Sequence, residues 1–146
     1  MADILEEHLT EELLDRLLAS ASIEQYLDEG LVSARTLTDY LFDRMEAHDL
    51  RRADVVRASG LNATVVYDIF SGKSRPGRDH AIMLAFGLKC TLRETQRLLR
   101  LAGVSELWCK QRRDAIIIWC IRNGFDGIAT DDELYRMGEA TLLPAD

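Results

Sequence analysis

The sequence predicts an all-α fold of about seven or eight helices, on three observations. Apolar residues recur at three- and four-residue spacing along most of the 146-residue chain. Hydroxyl-x-x-acid/amide capping patterns begin at Ser22, Thr91 and Thr130, and glycines stand where the apolar stripes end. With 47% hydrophobic and 29% charged residues, the chain has the composition of one globular domain with its own core.

The first stripe is Leu5, Leu9, Leu13 and Leu17, widened by Leu14 and Leu18, with Glu6, Glu7, Glu11, Glu12 and Asp15 facing elsewhere, which predicts an amphipathic acidic helix. Ser22-Ile23-Glu24-Gln25 then opens a short helix running to Gly30. Leu37, Tyr40, Leu41 and Met45 form the next stripe, ended by His48-Asp49. Arg51 to Ser59 turns Val55 and Val56 inward and stops at Gly60, and Asn62 caps a helix that buries Val66, Ile69 and Phe70 and stops before Gly72. Ser71 to Gly77 is a loop carrying Lys73 and Arg75. Arg78 to Phe86 buries Ile82, Ala85 and Phe86, with Gly87 as its expected stop. Thr91-Leu92-Arg93-Glu94 caps a helix with Leu92, Thr95, Leu99 and Ala102 on one side, ended by Gly103.

The run Ala115 to Ile121 admits two readings. Three consecutive isoleucines ahead of Asn123-Gly124 suit a strand and hairpin, whereas the preceding Gln111-Arg112-Arg113-Asp114 extends the run to helical length and Asn-Gly also ends helices. The chain offers no strand partner, which makes a buried helix the stronger reading. Thr130-Asp131-Asp132-Glu133 is expected to open the last helix, with Leu134 and Met137 inward.

Several chemistries fail on spacing. Gly72-Lys73-Ser74 resembles the end of a phosphate-binding loop, but that motif needs a glycine where Tyr67 stands and a strand ahead of it. His8, His48 and His80 have no second metal ligand at helical spacing and read as solvated surface residues. Asp126, Asp131, Asp132 and Glu133 lack the alternation of a calcium loop, and a helix N-terminus accounts for their charge. Cys90, Cys109 and Cys120 lie in apolar settings, form no CxxC pair and read as buried reduced thiols of a cytoplasmic protein. The longest apolar run is seven residues, against about 20 for a membrane span, and the N-terminus is acidic rather than basic-then-apolar, so neither a membrane span nor a signal peptide is expected. No catalytic constellation, cofactor site or metal site is expected.

The net charge of −7 conceals an uneven distribution. Residues 1–50 carry −10, residues 51–100 carry +6 and the remainder −3. The basic segment contains a helix from Arg51, the turn Ser59-Gly60-Leu61, a helix from Asn62 and then a basic loop, the layout of a helix-turn-helix. Here the sequence resembles the lambda-repressor-like, or XRE-type, DNA-binding family over about residues 37–102. The resemblance rests on Val55-Val56-Arg57-Ala58-Ser59-Gly60-Leu61-Asn62, on Val66 with Ile69, on Gly72-Lys73 and Pro76, and on Ala85-Phe86-Gly87-Leu88 leading to the capped helix at Thr91. The chain also resembles short bacterial members that flank this domain with an acidic helical arm and a segment such as Arg112 to Ile118.

The resemblance implies a five-helix domain at 37–103, between an acidic arm at 1–36 and a C-terminal helical extension at 104–146. It implies base contacts from Asn62, Ala63, Thr64, Tyr67 and Asp68, and phosphate contacts from Arg51, Arg52, Lys73, Ser74, Arg75 and Arg78. The base-reading helix itself has no Arg, Lys or Gln, the side chains that most readily pair with guanine or adenine edges. The expected function is a sequence-specific regulator of transcription that binds double-stranded DNA as a homodimer, not an enzyme. The alternative is a protein-interaction module that kept the fold without base readout, engaging a partner through the acidic arm or Tyr67, Asp68 and Phe70. The leucine stripe of the arm must pack on the domain's own core or on a second subunit, for which Trp108 and Trp119 offer apolar surface.

Overall fold

The computed structural model describes residues 10–28 and 36–143, which form nine helices and no strand. The expectations at Leu5, His8, Leu9 and Gly30 lie outside the described residues. The fold is all-α. The chain divides into two compact units, Met1–Arg35 and Thr36–Asp146.

In the first unit, α1 (Thr10–Ala19) is followed by α2 (Ile23–Asp28). Ser22 Oγ accepts the Gln25 N–H at 3.1 Å, as the capping pattern requires, but Gln25 Oε1 reaches back to the Ala21 N–H at 3.0 Å rather than to that of Ser22. Packing of α2 on α1 leaves Leu14, Leu17 and Leu18 exposed, Leu18 at 73%.

The second unit begins with α3 (Leu37–Ala47), α4 (Arg52–Ser59), α5 (Ala63–Phe70), α6 (Arg78–Gly87) and α7 (Leu92–Leu101). Then come α8 (Arg112–Arg122) and α9 (Gly127–Arg136). The isoleucine run is therefore helical, ending at Asn123 with Gly124 at φ 76°. Helix α6 is apolar all round, with every residue from Ala81 to Gly87 buried, and it packs on α4, α7 and α9. Around it Tyr40 and Leu41 of α3, Val55 of α4, Val66, Ile69 and Phe70 of α5, and Leu98 and Leu99 of α7 complete a core that also takes in Ile117 of α8 and Leu134 of α9.

Gly87 is the last residue of α6, as expected, and the left-handed residue beyond it is Lys89 at φ 57°. The glycine is needed for contact, because a Cβ there would stand 2.9 Å from Val55 O and from Ser59 Cβ of α4. The last helix starts at Gly127 rather than after Thr130, capped by Asp126 Oδ1 accepting the Ala129 N–H at 2.8 Å. Thr130 sits inside that helix and donates its hydroxyl back to Asp126 O at 2.8 Å. Asp131 is buried, accepting the Leu142 N–H at 2.6 Å and the Leu143 N–H at 2.9 Å. Its carboxylate holds the segment after α9, which places Leu143 beside the Gly60 turn, where an added Cβ would meet Leu143 Cδ1 at 3.0 Å.

The capping box of α7 is complete and becomes a tertiary junction. Thr91 Oγ1 accepts the Glu94 N–H at 3.2 Å, and Glu94 Oε1 accepts the Thr91 N–H at 2.9 Å. Glu94 also accepts from Arg44 and lies 3.3 Å from His48 Nε2, both from the α3 end. His48 is thus a partner in an ionic cluster rather than a solvated surface residue. Burial works to raise the Glu94 pKa, but the Thr91 N–H, Arg44 and His48 outweigh it and hold the carboxyl below its ordinary 4.5. A depressed carboxyl contributes stability that is complete above the unfolded-state value and is lost as pH falls through the folded-state value. Glu94→Gln should therefore lower stability at pH 7, with a deficit that narrows toward pH 3; urea unfolding at the two pH values measures it, and a pH-independent deficit would contradict the assignment.

The cysteines are not alike. Cys120 is buried, and burial pushes the Cys90 thiol up to about 12, which keeps it protonated. Cys109 is exposed, contrary to the expectation of a buried thiol, because the turn before α8 carries it outward with Trp108 and Lys110.

Candidate nucleic-acid interface

The turn between α4 and α5 is built from short-range rules. Helix α4 begins where the Arg51 N–H donates to Asp54 Oδ2 at 2.9 Å, leaving the Arg51 side chain free of the cap. That backbone bond, ahead of the charge of Arg57, holds the Asp54 carboxyl below its ordinary value. Gly60 at φ 75° lets the chain reverse, and Ser59 Oγ accepts the Leu61 N–H at 3.1 Å to close the turn over buried Leu61. Asn62 Oδ1 then caps α5 by accepting the Thr64 N–H at 2.8 Å. After α5 the chain doubles back: the Lys73 and Ser74 N–H groups donate to Asp68 O at 2.9 and 3.2 Å. Pro76 is buried and anchors the loop, while Lys73, Ser74 and Arg75 stay exposed.

Helix α5 buries Val66, Ile69 and Phe70 and leaves Ala63, Thr64 and Tyr67 exposed, together with its cap Asn62. Asp68 is half-buried at the edge of that face. The five expected base-contact residues thus lie on one short element, although the Asn62 carbonyl is engaged in the cap. Arg52, at the first position of α4, places its guanidinium carbon 5.3 Å from the centre of the Tyr67 ring. Arg75 lies against the Gly103 turn, where an added Cβ would stand 3.8 Å from its guanidinium carbon.

Arg78, expected at a phosphate, is committed elsewhere. Its Nη1 and Nη2 donate to the two Asp114 carboxylate oxygens at 3.0 and 2.7 Å, its Nε to Ser105 O at 3.0 Å and its Nη2 also to Glu106 O at 3.0 Å. Asp114 is 3% exposed and also accepts the Trp108 N–H at 2.9 Å. The pair fastens α6 to the start of α8 and leaves no N–H edge for DNA. Arg113 does the same in reverse, holding Asp79 of α6 at 3.0 Å.

The cations divide accordingly. Arg44, Arg57, Arg78, Arg100, Arg112, Arg113 and Arg136 each hold a carboxylate. Among the described residues, no carboxylate stands within ion-pair distance of Arg51, Arg52, Lys73 or Arg75, the four exposed cations at the start of α4 and in the loop after α5. Two features of this site had no sequence signal: the Arg78–Asp114 pair, whose partners are 36 residues apart, and the stack of Arg52 on Tyr67.

A second open surface is a groove of about 400 Å³ between α8 and α9, apolar along Ala115, Ile116, Trp119 and Met137. Trp119 is 54% exposed there and meets Phe125 edge-on at 5.3 Å. Among the described residues, no three of His, Cys, Asp and Glu gather as a metal site would need, and no helix is long and apolar enough to cross a membrane. Compared with protein-family models, curated proteins and solved structures, the chain matches none.

Proposed function

We propose that this protein binds double-stranded DNA through α4, the Gly60 turn and α5, as a sequence-specific, non-enzymatic regulator of transcription that acts as a homodimer in the cytoplasm. The observation that carries this reading is the bare face of α5, bracketed by Arg51, Arg52, Lys73 and Arg75. Four open cations gathered at the start of α4 and in the loop after α5 suit a polyanion, since each phosphate neutralised releases condensed counterions. The eight residues of α5 span about 12 Å, within what a major groove accepts, and the layout supports α5 as the helix that enters it. One such helix reads only a few base pairs, so a second copy reading a second half-site supplies the remaining specificity.

The test is retention of the full chain on random duplex DNA, followed by sequencing and a salt titration. Enrichment of a two-fold symmetric sequence is the expected result. Lys73→Ala and Arg75→Ala should each weaken binding to all duplexes alike and reduce the log–log salt slope by about 0.9. Arg78→Ala should leave that slope unchanged. No retention even at about 50 mM salt would overturn the reading in favour of a protein-interaction module.

A further inference from the structure

We infer that Arg52, stacked on Tyr67, is the base-reading guanidinium of this interface, and that each DNA half-site it recognises carries a guanine. The inference rests on the DNA-binding reading and names the base that the site selects.

The argument starts from a shortage. Helix α5 exposes Ala63, Thr64 and Tyr67, and its cap Asn62 has its carbonyl bonded to the Thr64 N–H. These side chains offer a methyl group, a hydroxyl and an amide N–H₂, none of which makes the paired contact that identifies a base pair in the major groove. The structure supplies the missing group from the neighbouring helix. Arg52 lies over the face of Tyr67, with its guanidinium carbon 5.3 Å from the ring centre. Tyr67 is 43% exposed and points out from the same side of α5 as Ala63 and Thr64.

The Arg52 guanidinium lies over the ring and, among the described residues, forms no hydrogen bond or ion pair, so its N–H edge is open. That edge presents the two parallel donors that guanine O6 and N7 accept. The ring also restricts a long, flexible side chain before binding, which lowers the entropy lost when it meets a base. Competing acceptors are engaged: Asp54, on the same helix, holds Arg57 and the Arg51 N–H, and Asp68 lies beyond ion-pair distance. The stack of Arg44 on Tyr40, at 5.2 Å, makes a useful contrast, because there the N–H edge is bonded to Glu94 and the pair serves the fold. Arg51, Lys73 and Arg75 are exposed outside α5, Arg51 at the cap of α4 and the other two in the loop that follows α5, and are taken as the phosphate contacts.

The experiment compares sequence preferences of the full chain and of Arg52→Ala, Arg52→Lys, Tyr67→Phe and Lys73→Ala on one randomised duplex library. Circular dichroism shows whether each variant is folded, as substitutions at exposed side chains should be. The parent should prefer guanine at one position of each half-site by about 10- to 100-fold. Arg52→Ala should abolish that preference while keeping the rest of the motif, and Arg52→Lys should not restore it, because an ammonium lacks the planar pair of donors. Tyr67→Phe keeps the ring and should keep the preference. If Arg52→Ala instead weakens all sequences evenly and lowers the salt slope as Lys73→Ala does, Arg52 is a phosphate contact and the inference is overturned while DNA binding stands. A parent motif without guanine overturns it in the same way. A parent that retains no DNA at any salt overturns both readings.

Discussion

Replacing Asp114 by alanine is expected to destabilise the protein by about 3 kcal/mol. Asp114 is almost fully buried and accepts three donors from outside its own helix, two from Arg78 and one from the Trp108 backbone. Removing it leaves a cation in place without its anion, a change that costs about 3 to 5 kcal/mol for a buried pair. The Arg78 side chain is 24% exposed and keeps its bonds to Ser105 O and Glu106 O, which places the cost at the lower end. Asp114→Asn retains an acceptor for the Trp108 N–H and should lose about half as much. Urea unfolding of the two variants beside the parent measures this; a shared midpoint would mean that the pair contributes nothing. The outcome also bears on the proposed DNA interface, because an Arg78 that anchors α8 to α6 is not available to clamp a phosphate.

Gly87→Ala should cost about 2 kcal/mol, although alanine is favoured over glycine by about 1 kcal/mol inside a helix. The added methyl would lie 2.9 Å from Val55 O and Ser59 Cβ and 3.2 Å from Ser59 N, two of which are backbone atoms with no rotamer to yield. Helix α4 would have to move off α6, straining the Gly60 turn that orients α5. The effect should therefore reach the proposed DNA binding as well as stability. Gly124→Ala is the control: it meets nothing within 4 Å and should cost only the strain of a residue at φ 76°, about 1 kcal/mol. Thermal unfolding of both variants decides the matter, and a Gly87→Ala protein that melts above the parent would show that α4 and α6 have room to spare.

Much of the candidate site was legible in the residue order. The bare face of α5 follows from the spacing of Val66, Ile69 and Phe70, which leaves Ala63, Thr64 and Tyr67 pointing away from the core. The loop cations follow from the glycine and proline around them. The error at Thr130 is equally instructive. Thr130 matches the capping pattern and Asp126, followed by Ala129 three residues on, does not, yet the helix is capped by Asp126, whose carboxylate accepts the Ala129 N–H. Asp131 then falls inside α9, where it accepts the two N–H groups at Leu142 and Leu143.

Helix positions, their caps at Thr36, Asn62, Thr91 and Gln111, and the turns at Gly60, Gly103 and Gly124 are set by interactions that span three to five residues, so order along the chain specifies them. The tertiary structure decided what each charge does. Arg52 and Arg78 are both arginines at the first position of a helix, and no local pattern separates them. Packing brings Asp114 to Arg78 and the open ring of Tyr67 to Arg52, so one guanidinium is bonded into the core while the other keeps its N–H edge free. Pairing of that kind depends on which helix faces meet, a long-range outcome of burying α6 on all sides.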